Sequence, residues 1–188
     1  ATLLVSSAGD TDYMPATTSQ VLTILSTTPT LTITSPTVLS VFGTSNATAV
    51  SSAPGNQGGA LSFAIVAGSG SATVNPVSGL ITTISAGTVT LIISSAGDTS
   101  YNGSSVSQEI TINAVTPTLT ITSGSILNVD DTLTAAVSTT AMSGQGGAIS
   151  FAIVAGTGSA MVDAVSGVVT AMGVGTVTLV ASSAGDVN

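Results

Sequence analysis

A period of 88 residues runs through this chain without a gap, and it restricts the fold more than any other feature. TPTLTIT stands at 28–34 and again at 116–122, SFAIVAG at 62–68 and 150–156, and GTVTL at 87–91 and 175–179. SSAGD occurs three times, ending at Asp10, Asp98 and Asp186. About half of the aligned positions are identical. A period of this length means one structural unit used repeatedly, so whatever folds must fold within about 88 residues and join end to end. The 188 residues equal two periods and twelve more. That frames the chain as the tail of one repeat (1–24), a complete repeat (25–112) and a third (113–188) lacking its last strand, an excerpt of a longer array.

Within each period the pattern is that of short strands. Thr30-Leu31-Thr32-Ile33-Thr34 alternates strictly between polar and apolar, as a half-buried strand does. Further strands are expected near 45–51, 61–66, 71–75, 80–84, 87–95 and 105–112, separated by Gly, Pro, Asn or Ser. About seven strands per 88-residue repeat, with turn signals between them, predict an all-β chain of tandem immunoglobulin-like β-sandwiches.

Composition agrees and removes several functions. There is no Lys, Arg, His, Cys or Trp, the formal charge is −8, and only 4% of residues are charged. Ser and Thr make up roughly a third of the residues, while mean hydropathy is +0.67. Such a chain is too apolar and too weakly charged for intrinsic disorder. With no cation on any side chain, no side-chain salt bridge can form, and nucleic acid is excluded as a partner because nothing displaces counterions from phosphate. Disulfides, thiol chemistry and lysine isopeptide cross-links are equally unavailable. No apolar run reaches the length of a membrane helix, and five aromatic residues cannot build the girdles of a lipid-facing barrel. No membrane insertion of this segment is expected.

The stretch VSGLITTISAGTVTLIISSAGDTSYN (77–102) resembles the C-terminal half of bacterial Ig-like repeats. In those repeats a Ser-Gly-apolar step is followed by Gly-Thr-apolar-Thr, then Ala-Gly-Asp and a Tyr. The resemblance extends over each repeat and is sharpest over 77–101. It implies tandem repeats of a surface protein, adhesin stalk or extracellular fibre, and an extracellular or cell-surface location. The partners it implies are neighbouring repeats and other copies of the same chain.

Three of the eight acidic residues sit in the SSAGD pentapeptide. As a turn, Gly97 would take a positive φ and the Asp98 carboxylate would close on nearby backbone N–H groups, with Tyr101 (matched by Tyr13) covering the end of the unit. The alternative is calcium between successive domains at Asp10, Asp98 and Asp186. Calcium asks for 6–8 oxygens, and each copy supplies one or two acids locally, so the turn is the preferred reading and no other cofactor is expected. Asp130-Asp131 faces Phe42-Gly43 in the complete repeat and reads as a solvated loop. Asp163 matches Asn75 and Glu109 matches Val21, so no carboxylate pair recurs for glycoside hydrolysis. No catalytic residue is assigned, and the chain is not expected to be an enzyme. GSGSAT (68–73) lacks the later Gly and Lys of a phosphate loop. The pairs Gly58-Gly59 and Gly146-Gly147 suggest a mobile loop. Asn46-Ala47-Thr48 and Asn102-Gly103-Ser104 are glycosylation sequons, and the Thr rows offer O-linked sites. The expected role is a semi-rigid, protease-resistant structural segment, with a carbohydrate- or surface-binding adhesion module as the alternative.

Overall fold

The structure, a computed structural model, describes residues 1–186; the last two positions of the third repeat lie outside them. Among the described residues there are eighteen strands and no α-helix. The first two, β1 (Thr2–Ser7) and β2 (Ala16–Val21), form an antiparallel ribbon. The complete repeat carries β3 (Leu31–Ile33), β4 (Val38–Ser40), β5 (Thr44–Asn46) and β6 (Ala49–Ser51), then a single 3₁₀ turn. It continues with β7 (Leu61–Ala67), β8 (Ser71–Val74), β9 (Leu80–Ser85), β10 (Gly87–Ser95) and β11 (Ser104–Asn113). The third repeat contributes β12 (Leu119–Ile121), β13 (Thr132–Thr134), β14 (Val137–Thr139), β15 (Ile149–Ala155), β16 (Ser159–Val162), β17 (Val168–Gly173) and β18 (Val177–Ser183).

The complete repeat orders its strands as β4-β11-β10-β7 in one sheet, β5-β9-β8 in another and β3-β6 in a short pair. All pairings are antiparallel except β4 with β11, which run parallel from Thr111↔Val38 to Asn113↔Ser40. Alternation sets the core. In β10 every second residue, Val89, Leu91, Ile93 and Ser95, is buried, and Ile110 and Ile112 join them from β11. Ile81 of β9, on the second sheet, closes the same cluster, and Val41 and Ala47 complete it. Phe63 and Ile65 of β7 pack against it half-buried.

Two details depart from the strand pattern read in sequence. The run expected over 45–51 is two strands: β5 pairs with β9 and β6 pairs with β3. The chain changes sheet at Ala47-Thr48, where Thr48 Oγ1 accepts from Thr34 Oγ1 and the Thr48 N–H donates to Ser35 Oγ. The other is β4, a three-residue strand that the reading lacked. Residues 25–113 therefore hold nine short strands where about seven were expected.

The strands of the third repeat mostly fall 88 residues after those of the complete one, β7 to β15 and β8 to β16 among them. No counterpart of β11 follows β18 among the described residues, and 126–128, the counterpart of β4, form no strand. A cavity of about 550 Å³ opens there beside Ile126, Gly175 and Val177. Gly175 and Val177 match Gly87 and Val89, which pair with Ile112 and Ile110 of β11 in the complete repeat.

Candidate functional site: the repeated aspartate corner

The SSAGD segment (94–98) contains Ser95, the last buried residue of β10, and the chain must reverse after it before β11 begins. Gly97 allows this by adopting φ 78°, a conformation that costs a glycine little. The Asp98 N–H then donates to the Tyr101 carbonyl at 2.8 Å. Asp98 Oδ1 accepts from the Ser100 and Tyr101 N–H groups at 2.7 and 2.9 Å. This is an Asx turn built from residues two and three positions on. The same geometry stands at Asp10, whose Oδ1 accepts from Asp12 and Tyr13 at 2.9 and 2.8 Å.

The second carboxylate oxygen does something the local pattern does not announce. Asp98 Oδ2 accepts the Gly58 N–H at 2.6 Å, and Gly97 N–H donates to the Gly58 carbonyl at 2.9 Å. The Ser95 hydroxyl donates to that same carbonyl. In the third repeat Gly146 N–H donates to Asp186 Oδ2 at 2.6 Å, and the Ser183 hydroxyl donates to the Gly146 carbonyl. The glycine pairs, read in sequence as a loop, are hydrogen-bonded partners of the corner. Gly58 is buried, and Gly59 lies against the Gly97 backbone so closely that a Cβ there would stand 2.9 Å from Gly97 N.

The corner also holds the entry to its repeat. Thr27 forms a parallel bridge with Tyr101. Its N–H donates to the Ser100 carbonyl at 3.2 Å and its carbonyl accepts the Asn102 N–H at 2.8 Å. Asn102 Nδ2 donates to Thr28 Oγ1 at 3.1 Å, and Ser26 Oγ donates to Asn102 Oδ1 at 2.7 Å. A glycan on Asn102 would be carried on Nδ2, the atom that donates to Thr28 Oγ1. Asn46, on β5, is exposed. Tyr101 is half-buried beside Gly58, whereas Tyr13 is 76% exposed.

Asp163 is also a turn-former. Asp163 Oδ1 accepts from Val165 and Ser166 N–H, and Asn75 Oδ1 accepts from Val77 and Ser78 N–H in the matching turn. Since an amide serves as well as a carboxylate, that site needs an acceptor and not a charge. Asp131 Oδ2 accepts from Asn128 Nδ2 at 2.8 Å. Among the described residues no three acidic side chains converge, so calcium at a corner would draw most of its oxygens from backbone and water.

The Gly58 N–H, followed by those of Ser100 and Tyr101, holds the Asp98 carboxyl below its ordinary value of 3.8. A lowered folded value means that the corner's contribution is present above that ordinary value. It is lost as pH falls through the folded one. Asp98→Asn keeps the Oδ1 acceptor but turns an amide N–H₂ toward Gly58. At neutral pH it should be less stable than the parent, and the gap should close on acidification from about pH 5 to about pH 2. Unfolding curves across that range check this; a gap that persists at the acid end would refute the linkage. Asp163 is lowered likewise, first by the Ser166 N–H, then by the Ser166 hydroxyl and the Val165 N–H.

No protein-family model matches the chain, and no curated protein is similar to it.

Proposed function

We propose that the chain is a run of tandem immunoglobulin-like β-sandwiches acting as a structural spacer, part of a bacterial extracellular fibre or adhesin stalk. The strand order supports the sandwich. With β5 and β6 taken as two halves of one strand, the order β3, β5/β6, β9, β8 is first-second-fifth-fourth. The order β7, β10, β11 is third-sixth-seventh. Those orders match the two sheets of an immunoglobulin constant-type domain, with β4 as an added parallel strand. Leu91 and Ile93 on one side and Ile81 on the other share the core between them.

The observation that carries the spacer reading is the joint. Only residues 114–118 separate β11 from β12, five positions including Pro117. At the preceding joint Ser26, Thr27 and Thr28 are each bonded to the corner of the repeat they enter. Short, tied linkers restrict bending, and Pro29 and Pro117 fix φ within them. A chain without Lys or Arg also presents no trypsin site, folded or unfolded, which suits a surface exposed to proteases. The resemblance over 77–101 supplies the bacterial surface setting. A binding module would display aromatic anchors; here Phe63, Phe151 and Tyr101 are half-buried.

Electron microscopy of the native material tests the proposal, with stiff rods or filaments as the expected image. Flexible, collapsed particles would overturn it, and specific capture on a glycan array would favour the adhesion module instead. Intact-mass measurement on the same sample decides glycosylation at Asn46 or on the Thr rows, where a mass equal to the bare polypeptide ends that idea.

A further inference from the structure

Among the described residues two that are not glycine hold a left-handed backbone, Phe42 at φ 59° and Asp130 at φ 69°, and they stand 88 positions apart. Aspartate visits this region readily, whereas a bulky side chain there is a strained exception. The Phe42 turn is held from several sides. Val41 N–H donates to the Asn113 carbonyl at 2.9 Å, and Gly43 N–H donates to Thr83 Oγ1 at 2.8 Å. Thr83 is buried, and its N–H donates to the Gly43 carbonyl at 3.0 Å. At the Asp130 turn the counterpart of Thr83 is Ala171, which has no hydroxyl to offer. The Asp130 turn is held instead by its own Asp131 carboxylate, which accepts from Asn128 Nδ2 at 2.8 Å.

The position of the ring gives the strain a purpose. Phe42 lies two residues beyond β4, whose parallel pairing with β11 ends at Asn113, the last residue before the linker. The ring is half-buried against the core of its own repeat. It also lines a cavity of about 200 Å³ whose other wall is Val115, Pro117, Ala141 and Met142 of the next repeat. A matching wall exists in the complete repeat. There a Cβ on Gly58 would meet Pro29 and Ala53 at 3.5 and 3.6 Å, as one on Gly146 would meet Pro117 and Ala141 at 3.5 and 2.9 Å.

We propose that Phe42 is the wedge of the inter-repeat joint: its ring sits between the core of one repeat and the Pro117–Met142 face of the next and limits the swing about residues 114–118. The inference deepens the spacer reading and rests on it. Stiffness at this joint then depends on one side chain, and it is not repeated 88 positions on, where the same turn presents the carboxylate of Asp130.

The chain has no cysteine, so Ala64→Cys and Ala152→Cys, exposed and equivalent in β7 and β15, accept one spin label in each repeat. Distance distributions are measured by pulsed electron paramagnetic resonance. The parent should give a narrow distribution and Phe42→Asn one at least twice as wide. Asparagine tolerates the left-handed turn, so the repeat itself should still melt cooperatively. Phe42→Tyr should restore the narrow distribution, and Met142→Glu, on the opposite wall, should broaden it without touching the strained turn. A narrow distribution in all variants overturns the wedge and leaves the rod standing. A broad one in the parent overturns both.

Discussion

Leu91→Ala should destabilise the complete repeat by about 2–5 kcal/mol, the range for a leucine removed from a core that cannot collapse onto the gap. Leu91 is fully buried on β10, opposite Ile65 of β7 and Gln108 of β11, and shares its cluster with Ile81, Ile93 and Ile110. With about 5–15 kcal/mol holding a domain of this size together, the variant stands near the edge of folding. An exposed residue of the same repeat supplies the control. Val66 of β7 is 54% exposed, and Val66→Ala should stay within about 0.5 kcal/mol of the parent, as surface substitutions do. The chain has no tryptophan and two tyrosines, so in a Tyr13→Phe background Tyr101 emission reports the complete repeat alone. Equal losses at Leu91 and Val66 would mean that burial does not separate the two positions as described.

What could be read in the sequence was local, and what could not was remote. Strands β7, β9 and β10 lie within a residue or two of the expected runs because period-2 alternation shows itself within a few residues. The Asx turn at Asp98 was legible for the same reason: its partners are two and three residues away. The Gly58 contact to the other carboxylate oxygen spans 40 positions, and nothing near Gly58 announces an aspartate. A Gly-Gly pair looks the same in sequence whether the chain is unrestrained or pressed against another backbone. Strand β4 was missed because it exists only through β11, more than seventy residues on. The break between β5 and β6 was missed because a change of sheet at Ala47 leaves the alternation intact. The role of Phe42 was not legible, because it depends on a backbone angle and a neighbouring repeat, neither of which composition records.

The aspartate corner now has two halves, and the second large effect comes from forcing them apart. Gly59→Ala should cost about 1–3 kcal/mol through backbone conformation alone, since alanine does not adopt φ 86° without strain. The new methyl would also run into the Gly97 carbonyl and stand 2.9 Å from Gly97 N, so loop and corner must separate. Separation breaks the Gly58–Asp98 and Gly97–Gly58 hydrogen bonds together, leaving the Asx turn of Asp98 intact because that turn is closed within residues 98–101. Hydrogen exchange should therefore accelerate at the Gly58 and Gly97 amides while the Ser100 and Tyr101 amides keep their protection, with denaturant unfolding giving the total loss. Gly147→Ala should likewise expose the Gly146 amide, which donates to Asp186 Oδ2, because the added Cβ meets the Gly185 backbone and Gly147 holds φ 73°. If Gly59→Ala proves neutral, the loop is not clamped and the corner is only a turn. If it exposes Ser100 and Tyr101 as well, the turn does not stand by itself, and Asp98 depends on Gly58 as much as Gly58 depends on it.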